Sequence, residues 1–96
     1  MQSNLQSLTD ALVGYMREEG LEQSLFEVQI EEIWPQVMGE TVTKLTRSVD
    51  LKDGMLIVHL NSAALKAQLF ENRFELVRKL NEALGAEAIR DCRLLG

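Results

Sequence analysis

Ser48-Val49-Asp50-Leu51-Lys52-Asp53-Gly54-Met55-Leu56-Ile57-Val58-His59-Leu60 is the stretch that decides the fold. An Asp-Gly pair between two apolar runs marks a two-residue β-hairpin turn, because both central positions need positive φ. Taken literally, the turn pairs Lys52 with Met55, Leu51 with Leu56, Asp50 with Ile57, Val49 with Val58, and Ser48 with His59. One face then carries Val49, Leu51, Leu56, Val58 and Leu60. The other carries Ser48, Asp50, Lys52, Met55, Ile57 and His59. A slip of one residue would mix the two sets, so the pattern fixes the register. A sheet that is apolar on one side predicts helices on that side alone.

Downstream, Ser62 is placed to cap a helix beginning at Ala63. The helical pattern continues to Leu84, with Leu65, Leu69, Leu76 and Leu80 on one face. A single unbroken helix would put Arg73 in the middle of that face. A break near Glu71–Arg73 removes the conflict and predicts a short helix followed by a longer one. Gly85 ends the second helix, and Ile89–Leu94 is the candidate third strand. Upstream, Leu5, Leu8, Leu12, Tyr15 and Met16 predict an amphipathic helix over residues 4–19, closed by Gly20 with Leu21 as its apolar contact. Phe26, Ile30, Ile33, Trp34 and Val37 predict a second helix. Within it Pro35 removes a backbone donor and predicts a kink or a restarted turn after Trp34. Gly39 suits an end or hinge before Val42. The expected order is α-α-β-β-α-α-β, an α+β domain over residues 1–96 with a small three-stranded sheet. Trp34 is expected in the core, with its indole N–H paired or reaching water.

The chain has 96 residues, enough for one modest core. Its composition is globular, and no apolar run approaches the length of a membrane helix. The N-terminus has neither the basic start nor the apolar stretch of a signal peptide. A single cysteine cannot form an internal disulfide, which points to an intracellular, cytoplasmic protein. The net charge is −5, which disfavours indiscriminate binding to phosphate backbones. That charge is divided unevenly. Residues 1–40 hold eight acids and one base, whereas residues 41–96 hold seven acids and nine bases.

Few residues invite chemistry. Cys92 alternates with Leu94 and reads as a buried strand residue, with no histidine-centred dyad in prospect. His59, the sole histidine, reads as a solvated residue of the open sheet face. Glu18-Glu19 and Glu31-Glu32 are adjacent on helices, so their members diverge and read as solvated charge. No metal-ligand spacing, phosphate loop, dinucleotide fingerprint or nucleophile elbow is present. Nothing in the pattern requires an enzyme, a cofactor or a metal. Among the bases, Arg78 and Lys79 lie at helical spacing from Glu75 and Glu82 and are locally compensated. Arg73 falls at the helix junction, where the free N–H groups of the next helix can assist an anion contact. Lys66 and Lys52 are candidates to extend that surface.

Four segments in order carry a resemblance. They are Ile33-Trp34-Pro35-Gln36-Val37-Met38-Gly39, then Leu51 through Val58, then Asn61-Ser62-Ala63-Ala64-Leu65 through Leu69, then Leu80-Asn81-Glu82-Ala83-Leu84-Gly85. Together they resemble the DciA family of bacterial replicative-helicase loaders over about residues 8–95. That family is similar to KH domains of the second type, whose α-β-β-α-α-β order agrees with the reading above if one helix is added or split. The resemblance implies a non-enzymatic DNA-replication accessory protein that binds the replicative DNA helicase and helps place it on single-stranded DNA. Two further readings stand beside it: a KH-like RNA- or DNA-binding module with no helicase partner, and a structural domain whose acidic helix engages another protein.

The chain departs from the family at identifiable places. Leu65 stands in the region where many relatives carry a tryptophan, and Phe70-Glu71-Asn72-Arg73 replaces the glycine-rich clamp of nucleic-acid-binding KH domains. Many relatives also have a basic extension. The absent clamp and the net charge of −5 predict weak single-stranded nucleic-acid binding centred on Arg73, Lys66 and Lys52. Partner contact is expected at Ser62 and Leu65, the leucine lying at the rim between core and interface.

Overall fold

The computed structural model describes residues 11, 12, 14, 15 and 22–96. Two antiparallel strands, β1 (Thr46–Lys52) and β2 (Met55–Leu60), form the predicted hairpin, and all five expected pairs are present. Asp53 and Gly54 have φ of 50° and 81°, the doubly positive turn that matches the right-handed twist of the strands. A third strand, β3 (Asp91–Leu95), joins β2 in parallel and completes a mixed sheet of order β1-β2-β3.

Within residues 22–96, four helices accompany the sheet: α1 (Glu22–Met38), α2 (Glu40–Lys44), α3 (Ala63–Glu71) and α4 (Arg73–Leu84). The described elements run α-α-β-β-α-α-β. Of the helix expected over residues 4–19, Ala11, Leu12, Gly14 and Tyr15 are helical; its other residues and the Gly20–Leu21 cap lie outside the described residues. The single-turn helix α2 was not foreseen. It follows Gly39 directly, and the Lys44–Glu40 ion pair spans it. Helix α1 runs through Pro35 to Met38 with no restart. Pro35 falls in the last turn, so only one internal hydrogen bond is forfeited, and its own carbonyl accepts from Gly39 N at 3.0 Å.

A parallel pair cannot be closed by a tight turn, and α3 and α4 supply the long crossover between β2 and β3. Ser62 caps α3 as expected, its Oγ accepting from Leu65 N at 3.1 Å. The break falls at Asn72, between the two helices. Gly85, at φ 75°, takes the left-handed conformation that terminates α4.

The third strand begins two residues later than its apolar pattern suggests. The Asn81 side chain accepts from Ile89 N at 2.8 Å and donates to Ile89 O at 2.9 Å. Arg90 N donates to Gly54 O at 2.7 Å. Ile89 and Arg90 are therefore bonded elsewhere, and ladder pairing starts at Asp91.

The core lies between one sheet face and the helices. Ile30 and Trp34 of α1, Leu69 of α3, and Leu76 and Leu80 of α4 pack against Val49, Leu51, Leu56, Val58, Leu60 and Leu94. The other sheet face carries Ser48, Asp50, Lys52, Asp91 and Arg93, all exposed, beside half-buried Met55, Ile57 and His59. Trp34 is 1% exposed. Its Nε1 donates to Thr46 Oγ1 at 3.1 Å, and that hydroxyl donates to Val42 O at 2.7 Å.

Candidate nucleic-acid and partner surface

The α3–α4 junction is built around Asn72. Its backbone N–H closes α3 onto Gln68 O and Leu69 O, and its carbonyl accepts from Leu76 N at 2.9 Å. The chain thus turns with no glycine, and Arg73 becomes the first residue of α4. Arg73 Nη1 donates to Phe70 O at 3.1 Å. Its guanidinium carbon lies 4.4 Å from the Phe70 ring centroid and 4.8 Å from that of Phe74. Both rings are open to solvent, Phe70 at 56% and Phe74 at 77%.

Lys66 lies one helical turn before Phe70, and the two side chains line one open depression on α3. Lys66 also lines the adjoining groove at the end of the sheet, opposite Arg47. Arg47 reaches that groove from a β-bulge. The register shifts between Thr46 and Ser48, leaving Arg47 as the extra residue of β1. Among the described residues, no acidic side chain lines either depression. Among the described residues the ion pairs engage Lys44 and Arg78, and none engages Arg47, Lys66 or Arg73. The expected compensation of Arg78 is present: its Nε donates to Glu75 Oε2 at 3.0 Å, and it also pairs with Glu82. The hydrogen bond from Arg78 holds the Glu75 carboxyl below its ordinary pKa.

The three bases singled out in the sequence do not share one surface. Lys66 and Arg73 are linked through Phe70. Lys52 pairs with Met55 beside the hairpin turn, at the opposite end of the strands from Arg47, Leu60 and Lys66. Periodicity assigns Lys52 to a sheet face but does not report distance along the sheet from a helix. Arg47 was missed because a strict two-residue alternation contains no bulge. Phe70 and Phe74 were missed because phenylalanine in a helical pattern reads as core.

Of the expected partner residues, Ser62 is half-buried and engaged in its cap, and Leu65 is half-buried and packed against the core. Leu65 thus divides its area between the interior and the surface. Cys92 shares the core side of β3 with Leu94, but it is half-buried rather than fully enclosed. Burial and the neighbouring Asp91 carboxylate push its thiol pKa up, with Arg73 opposing. Among the described residues no group of three or more His, Cys, Asp or Glu is placed to hold a metal ion. Nor is any helix among them long and apolar enough to cross a membrane.

Residues 7–94 match the protein family described as Dna[CI] antecedent, DciA. The chain belongs to the DciA family. The match spans nearly the whole sequence, including β1, β2, all but the last residue of β3, the α3–α4 junction and the core positions of α1. Membership places the protein in a helicase-loader type of accessory family with a replication-related role. No curated protein matches the sequence.

Proposed function

We propose that this DciA-family chain is a non-enzymatic accessory of DNA replication that binds the replicative DNA helicase and assists its loading on single-stranded DNA. The observation that carries the reading is the family match over residues 7–94. The described order, with one helix added or split, supports a KH-like domain of the second type, and we take residues 1–96 as that single domain. The surface adds support on both sides of the activity. Leu65, half-buried behind the Ser62 cap, offers apolar area to a protein partner. Arg73 and Lys66 offer cations with no ion-pair partner among the described residues, and Lys52 offers a separate one beside the hairpin. Weak rather than strong strand binding is in keeping with a net charge of −5. Such a protein works in the bacterial cytoplasm, with no cofactor and no membrane contact.

A second reading, a KH-like nucleic-acid module with no helicase partner, draws on the groove of Arg47 and Lys66, which have no ion-pair partner among the described residues. Co-purification with the replicative helicase of the same cell separates the two. Capture of the helicase by the tagged chain, weakened in Leu65→Ala with the fold intact, supports the loader reading. Strand binding without capture supports the module. Unchanged capture by a stably folded Leu65→Ala variant removes Leu65 from the interface.

A further inference from the structure

We infer that Phe70, Arg73 and Phe74 form a base-stacking platform for single-stranded nucleic acid, fed along the groove of Lys66 and Arg47. The inference rests on the reading of this protein as one that works at single-stranded DNA, and it supplies the contact by which bases, rather than phosphates, are held.

Aromatic placement is the first argument. The chain has three phenylalanines. Phe26 packs against the core, whereas Phe70 and Phe74 stand side by side on the surface. Two exposed rings on either side of the α3–α4 junction expose apolar area that adds nothing to the core. Arg73 is the second argument. Its guanidinium contacts both rings at 4.4 and 4.8 Å, a cation–π arrangement that holds the rings and the charge as one unit. One of its donors is engaged by Phe70 O, and the others remain for a phosphate. The third argument is continuity. Lys66 lines the depression it shares with Phe70 and the adjoining one it shares with Arg47. The surface therefore runs from two cations to Phe70, and Arg73 joins Phe70 to Phe74 beyond it; the far side of Phe74 faces a depression that Glu82 and Glu87 line, which bounds the strand path there.

Nonspecific single-strand binders combine these two elements, a basic track for the backbone and π faces for successive bases. A bare basic patch would take duplex as readily as single strand, whereas exposed rings favour bases that are free to unstack. The acidic chain as a whole repels phosphate, so the stacking contribution is what gives this surface purchase on a strand.

The test uses the full chain and fluorescence anisotropy with four probes: a labelled oligo-dT, an oligo-U of equal length, the same DNA length with abasic sites, and a duplex. The intact protein is expected to bind oligo-dT and oligo-U in preference to the abasic strand and the duplex. Phe70→Ala and Phe74→Ala are each expected to weaken oligo-dT and oligo-U binding about 5-fold or more, as loss of a stacked base requires. Neither should shift the thermal transition or the salt slope, because both rings are exposed and uncharged. Phe74→Trp should retain binding. Lys66→Gln and Arg47→Gln should each lower the salt slope by roughly one. Equal affinity of the intact protein for oligo-dT and its abasic counterpart would overturn the inference, as would unchanged oligo-dT binding by the folded double alanine variant. Helicase capture by the same variants keeps the two claims apart. Lost strand binding with capture intact supports the platform. Lost capture with strand binding intact makes the rings a protein anchor and overturns the platform while leaving the loader reading standing.

Discussion

Trp34 is held by a single hydroxyl. The indole is almost fully buried, and its only hydrogen-bond partner among the described residues is Thr46 Oγ1. Thr46→Val keeps the side-chain shape but removes that acceptor, leaving a buried donor unpaired. The expected cost is about 1–3 kcal/mol in urea denaturation, with Thr46→Ser close to the parent. At Cys92, burial and Asp91 disfavour the thiolate, which is the reactive form. Because the pKa is raised, the thiolate fraction at pH 8 lies below that of an unperturbed cysteine. Iodoacetamide should therefore modify native Cys92 more slowly than the unfolded chain, with the rate climbing as pH rises into the alkaline range. Equal rates for the native and unfolded chains at pH 8 would contradict this placement.

Each element of the sheet end depends on a junction that either suits or resists sequence reading. The Asp53-Gly54 turn is local: two adjacent residues need positive φ, and alternation on both sides fixes the register. A Cβ at Gly54 would lie 2.5 Å from Arg90 Nε, and the backbone there has φ 81°. Gly54→Ala is therefore expected to cost roughly 1–2 kcal/mol, read as a lower denaturation midpoint. The α3–α4 break was equally legible, because a continuous helix would have aimed Arg73 into the leucine face. The start of β3 was not. It depends on Asn81 reaching Ile89, a side-chain bridge between an α4 residue and a segment that only the folded chain brings near. Asn81→Ala should cost about 2 kcal/mol, since it orphans an N–H and a carbonyl of a buried residue. Asn72→Ala, whose side chain bonds Gln68 O at an exposed site, should cost within about 0.5 kcal/mol. Much the same distinction governs the candidate site. Arg73 was legible as a misfit in a helical pattern, and Lys66 as a base beside it. The two exposed phenylalanines and the bulged Arg47 gain their meaning only from tertiary placement.

Across the whole molecule, charge is segregated along the chain and sorted again on the surface. Residues 1–40 carry the acidic excess and residues 41–96 a small basic one. Within the latter, Arg78 is neutralised by Glu75 and Glu82, while Lys66 and Arg47 line a groove to which no described residue adds an acidic side chain. We propose that this DciA-family protein joins the replicative helicase to single-stranded DNA. The most direct test is size-exclusion chromatography of the purified chain with the helicase of the same cell, followed by measurement of helicase retained on a single-stranded DNA circle. Co-elution and a rise in retained helicase when the chain is present are the expected results. Separate elution, with retention the same in the presence and absence of the chain, would contradict it.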